Sequence, residues 1–143
     1  MDIKRYQSRI SGPLLDRIDI ILEVPREQID TLLDLQKGEN SDTLRARVVS
    51  AWKIQQERFK GLSIKANAHM TAKELQEIVP LQSGCKEFLM QASTSLNLSG
   101  RVVHRTIKLA RTIADMNGEE HVEVRHLAEA IQYRSRTMFI DEE

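Results

Sequence analysis

SGRVVHRTIKLARTIADMNG, residues 99–118, reads as one helix with both of its ends written into it. Ser99 is a good N-cap, because its hydroxyl oxygen can accept a bond from an orphan N–H of the first turn. Gly118 suits the left-handed position that closes a helix. Between them Val103, Ile107, Ala110 and Ala114 recur at helical spacing, and Val102, Leu109, Ile113 and Met116 widen the apolar stripe to a broad core face. The remaining sector carries Arg101, His104, Arg105, Lys108 and Arg111, again three and four residues apart. A cationic sector on an amphipathic helix is ordinarily a solvated face. Arg101 asks for more, because a cation in the first turn sits against the positive end of the helix dipole. An anion held between Arg101 and the free N–H groups removes that conflict, so the local chemistry points to a phosphate near Arg101.

The composition sets bounds around this helix. At 143 residues the chain suits one domain, or one domain and a piece of another. Apolar residues make up 41% but aromatic ones only 4%, which predicts a Leu/Ile/Val/Ala core of helices. Lys and Arg number 21, as do Asp and Glu, so the net charge is zero and any attraction to a polyanion must come from local patches. Cys85 is the single cysteine and falls on an apolar helical pattern, as a buried core residue does. With no signal-peptide pattern and no apolar run of the roughly 18 residues a membrane span needs, the expectation is a cytoplasmic protein with no membrane partner.

In chain order, the first 24 residues differ from the rest. IKRYQSRI (3–10) is basic and helical in pattern, and SGPLLDR (11–17) places Pro13 where a first helical turn tolerates it. IDIILEVP (18–25) reads as a short apolar strand halted by Pro25. A lone strand needs a ladder partner, so the chain is expected to begin inside a larger fold or to pair this strand with another molecule. Residues 26–42 hold a short helical pattern (Ile29, Leu32, Leu33, Leu35) and the polar KGENSD. From Ser41 or Asp42, as cap, the pattern turns helical: Leu44, Val48, Trp52, Gln55 and Phe59 line one face up to Gly61, with Trp52 as a core anchor. GLSIKANAHM (61–70) leads to a short helix opened by the capping box Thr71-x-x-Glu74 and ended by Pro80. Leu81, Cys85, Phe88, Leu89, Ala92 and Leu96 mark the next helix, which stops near Asn97. After residues 99–118, Val124, Leu127, Ala128 and Ile131 mark the last one. Five helices with short connections predict a bundle.

Familiar catalytic signatures are missing from the sequence. No Gly is followed by Lys, so there is no P-loop. The histidines at 69, 104, 121 and 126 lack metal-ligand spacing, and no metal site is expected. Asp16 and Asp19 make a weak carboxylate pair at best. Either could also pair with Arg17.

Three stretches, in order, carry a resemblance: SRISGPLLDRIDIILEVP (8–25), NLSGRVVHRTIKLARTIADMNG (97–118) and HLAEAIQYRS (126–135), with the KANAHM loop before the short helix. Together they resemble the C-terminal part of magnesium-chelatase-like AAA+ ATPases, in particular the competence-associated ComM (YifB) group. The fold this implies is mainly α, a C-terminal helical lid preceded by the last helix and strand of the α/β core. Residues 1–25 would be the core remnant, 26–42 a linker, 43–135 the lid and 136–143 a tail. By the resemblance Arg17, in LLDRID, matches the arginine finger that reaches the γ-phosphate of a neighbouring subunit. Arg101, in LSGR, matches the sensor-2 arginine that reaches the nucleotide of its own subunit, and Arg105 is a further nucleotide-binding candidate one turn on. ATP and Mg²⁺ are the implied cofactors of the full-length protein. Its implied partners are the upstream P-loop core and the neighbouring subunits of a hexamer, with DNA as a candidate substrate. Lacking Walker A, Walker B and sensor 1, this chain alone is expected neither to hold ATP tightly nor to hydrolyse it. Two other functions stay open: a free-standing helical module that binds nucleic acid or protein through the basic edge from Arg101 to Arg111, and an ATPase subunit acting in metal insertion.

Overall fold

The computed structural model describes residues 17–22, 24 and 38–133. The helical patterns read at residues 3–16 and 29–35, and the tail from residue 134, lie outside the described residues. Within them the protein is mainly α: α1 (Ser41–Arg58), a 3-10 turn (Asn67–His69), α2 (Ala72–Ile78), α3 (Ser83–Ser95), α4 (Gly100–Met116) and α5 (Val124–Gln132). No helix among these residues is long and apolar enough to cross a membrane.

Local chemistry sets the helix ends. Ser99 caps α4 by accepting from the N–H of Val102 at 3.3 Å. Gly118, just beyond the C-cap Asn117, has φ +72, a conformation that favours glycine. The α2 capping box forms in both directions, Glu74 N–H to Thr71 Oγ1 (3.3 Å) and Thr71 N–H to Glu74 Oε2 (2.6 Å). The bond from the Thr71 backbone holds the Glu74 carboxyl below its ordinary range. α3 ends where expected, with Asn97 at φ 48. One cap differs: α1 is capped by Asn40, whose side chain accepts from the N–H of Asp42, and not by Ser41 or Asp42.

α4 is the hub. It packs on α5, on α1, on the 3-10 turn and on α2, while α3 joins the bundle mainly through α5. Eight of its 17 residues are buried, against two of 18 in α1. Ile107, Ala110 and Ala114 lie in the core with Leu127, Ala130, Met70 and Leu75, and Val103 packs against it half-buried. Cys85 is buried as expected. Its thiol donates to the carbonyl of Val122, and burial raises its pKa.

One expectation fails. Trp52 is not a core anchor; it is 47% exposed, with Leu44 and Val48 also open to solvent on the same helix. Helical spacing placed these residues on one face correctly, but only its C-terminal end, at Gln55 and Phe59, is covered by the bundle. The stretch read as a strand, whose ladder partner is expected outside this chain, is in no ladder at its described residues 18–22 and 24. Ile18, Ile20, Leu22 and Val24 are exposed, and the segment's backbone is tied to the bundle where Ile21 N–H donates to the Tyr133 carbonyl at 2.7 Å. A ladder needs a strand beside it to satisfy alternate N–H and C=O groups, and the described residues supply none.

Candidate functional site

The cationic sector of α4 separates into three environments. Arg101, in the first turn, is exposed and takes no hydrogen bond or ion pair from the described residues. The helix start beside it is open, since a Cβ added at Gly100 would meet nothing within 4 Å. A guanidinium and the amide end of a capped helix therefore face solvent together, a setting suited to an anion.

One turn on, Arg105 is engaged. Its Nη1 donates to the Asp19 carboxylate at 2.7 Å and to the backbone carbonyl of Arg17. The Arg17 residue is exposed, so the fold brings the turn bearing Arg17 onto the same helix that carries Arg101. Lys108 stands beside this pair and donates to the Ala68 carbonyl at 3.1 Å. Partial burial, and then the nearby Arg105 charge, lower the Lys108 pKa. Asp19, Ala68, Arg105, Lys108, Leu109 and Thr112 line a cleft of about 140 Å³ there.

The last member of the sector, Arg111, is not on a solvated edge at all. It is buried, with Nε donating to Asp115 Oδ1 at 3.1 Å and its two terminal nitrogens to the carbonyls of Glu119 and Glu120. Asp115 also receives both terminal nitrogens of Arg58 from α1 and the Asn67 side-chain N–H from the 3-10 turn, the last at 2.8 Å. Asn67 is itself fixed by Gln55, which accepts its backbone N–H at 2.9 Å. Burial lowers the Arg111 pKa, and the nearby Asp115 charge opposes the shift. The uninterrupted basic edge from Arg101 to Arg111 is thus cut short, because its far end is a structural ion pair inside the bundle. Sequence reasoning missed this network, although the spacing of Arg111 and Asp115, four apart on one helix, is a signal for such a pair. Asn67 falls inside the KANAHM loop that the resemblance singled out.

Among the described residues no group of three or more His, Cys, Asp or Glu side chains is placed to hold a metal ion. His126 is buried, its Nδ1 accepting the Glu123 N–H at 3.0 Å and its Nε2 3.3 Å from Glu119.

The geometry joins a helical bundle to the end of a preceding segment, and comparison with known proteins gives that arrangement a family. The profile described as magnesium chelatase, subunit ChlI C-terminal, matches residues 38–134, and the profile for magnesium chelatase, subunit ChlI, matches residues 1–32. The chain belongs to the magnesium chelatase subunit ChlI family, and its bundle is the C-terminal helical lid of that family. It is 40% identical over 134 residues to the competence protein ComM of Haemophilus influenzae, covering 93% of this chain and 26% of that protein. To YifB of Salmonella typhimurium it is 38% identical over 132 residues, which is 92% of this chain and 25% of that protein. To Rv2897c of Mycobacterium tuberculosis the identity is 28% over 131 residues, 92% of this chain and 26% of the relative. The chain therefore spans about a quarter of the length of the curated relatives it matches.

Proposed function

We propose that this chain is the nucleotide-sensing lid of a ring-forming AAA+ ATPase, with residues 43–135 as the lid, 26–42 as linker and 1–25 as the end of the core. The observation that carries the reading is Arg101, exposed in the first turn of α4 beside an open helix start. A guanidinium there offers paired donors to phosphate oxygens from the lid of its own subunit. Arg17, on the turn that α4 holds, serves the neighbouring subunit, where a fixed cation stabilises charge that develops on the transferring phosphoryl group. ATP and Mg²⁺ supply the phosphoryl chemistry when bound at the P-loop of the core. The lid contributes the position of its arginines. Cytoplasmic location and hexameric assembly belong to the same reading.

For the substrate, the reading extends to DNA, supported by the likeness to a relative named as a competence protein. Metal insertion is the second reading, favoured by the family description, which names magnesium chelatase. The test is steady-state ATPase and nucleotide binding in the full-length protein, with and without DNA. Arg17→Ala is expected to lower turnover by about 10³–10⁵-fold, the range of an arginine finger. Arg101→Ala is expected to lower it also, and both to alter nucleotide affinity far less. Wild-type turnover in both variants would overturn the reading. DNA-stimulated turnover favours the motor over metal insertion, and unresponsive turnover favours the reverse.

A further inference from the structure

We propose that Arg105 is a positioning residue that clasps the turn carrying Arg17 to α4, so that the helix presenting Arg101 also sets where Arg17 stands. The inference rests on the reading of Arg17 as a finger. Arg101 and Arg105 are four apart on one helix and therefore share a face. Arg105 Nη1 reaches two acceptors on either side of Ile18, the Arg17 carbonyl and the Asp19 carboxylate, the latter at 2.7 Å. The carbonyl belongs to Arg17 itself, so the bond fixes the main chain from which the finger projects. The carboxylate adds a charge-assisted bond, stronger than a neutral one. Arg105 is the less exposed partner, 28% against 60% for Asp19, so this ion pair is sheltered on one side by the bundle. A second tie, from Ile21 N–H to the Tyr133 carbonyl at 2.7 Å, anchors the same segment to the end of α5. Residues 17–21 are thus fastened to the lid at two points, and Arg105 supplies the one next to Arg17.

This geometry separates Arg105 from a direct nucleotide ligand. Its guanidinium is turned to Asp19 and the Arg17 carbonyl, and Arg101 is the exposed arginine of the pair. Both bonds come from the single nitrogen Nη1, so a lysine ammonium at 105 keeps the charge and can donate to the same two acceptors. Movement of the lid on nucleotide binding would then move the finger with it, coupling the site in one subunit to the site it serves in the next.

The test uses the full-length protein with Arg105→Gln and Arg105→Lys, each alone and together with Arg17→Ala. Misplacing a reacting group by about 1 Å costs on the order of 100-fold, so Arg105→Gln is expected to lower kcat by roughly 10- to 100-fold with KM for ATP unchanged. In the Arg17→Ala background it is expected to add nothing, and Arg105→Lys is expected to restore part of the turnover that Arg105→Gln loses. A raised KM at unchanged kcat, or a loss that multiplies with that of Arg17→Ala, would overturn the proposal in favour of direct nucleotide contact. A readout independent of catalysis is amide hydrogen exchange across residues 17–21, which should accelerate next to Arg17 in Arg105→Gln while α4 stays protected. Unchanged exchange across residues 17–21 would show that there is no clasp. Wild-type turnover in Arg17→Ala would instead overturn the finger reading, an outcome the exchange measurement keeps apart from failure of the clasp.

Discussion

At the scale of single residues, Arg111 and Arg101 show how one helical sector can hold two kinds of arginine. Arg101 faces solvent at the start of α4, whereas Arg111 is buried against Asp115, with Arg58 and Asn67 completing the carboxylate's partners. Asp115 is the pivot, because α1, the 3-10 turn and α4 all meet at its two oxygens. Removing one partner of a buried ion pair leaves the other charge uncompensated, so Asp115→Ala is expected to destabilise the fold by about 3–5 kcal/mol. Urea denaturation measures this directly, and a loss below about 1 kcal/mol would mean that the network adds little to stability. The sequence carries the i,i+4 spacing of Arg111 and Asp115, but the other partners of the Asp115 carboxylate, Arg58 and Asn67, stand 57 and 48 residues away. Helical spacing places a residue on a face. It does not say what a distant loop brings to that face.

Among the elements, α4 was the most legible and α1 the least. Ser99 and Gly118 act on their own neighbours, so cap and stop are local chemistry that the chain states outright. The stripe of Leu44, Val48 and Trp52 is equally periodic, yet it is covered only toward the C-terminal end of α1, because burial depends on which element lies opposite. Residues 18–24 make the same point for a strand: the apolar run is real, but a ladder needs a partner that the described residues do not supply. These differences have an energetic consequence. Leu127, fully buried in α5, should cost about 2–5 kcal/mol when changed to Ala, the range for large-to-small core substitutions. Half-exposed Trp52, the larger side chain, should cost less on Trp52→Ala. Thermal or chemical denaturation of the two variants settles the order, and a greater loss at Trp52 would restore it as a core anchor.

For the whole molecule, the lid fold and the family followed from motifs spread along nearly the full chain, from SRISGPLLDRIDIILEVP to HLAEAIQYRS, which is why the organisation could be read despite errors on individual faces. The Arg105 clasp could not be read that way, because nothing in the spacing of α4 says that Asp19 and the Arg17 carbonyl fold back onto it. The central claim is that one chain serves two nucleotide sites, Arg101 on the lid that of its own subunit and Arg17 at the end of the core that of the neighbour. Mixed oligomers of the full-length protein test it most directly. Subunits bearing Arg17→Ala are combined with subunits disabled in the P-loop, and the experiment is repeated with Arg101→Ala. If Arg17 acts in trans, the first mixture regains turnover at interfaces where an intact P-loop meets an intact finger. If Arg101 acts in cis, the second mixture regains much less, because every intact P-loop carries the damaged lid. Equal rescue in the two mixtures would contradict the assignment.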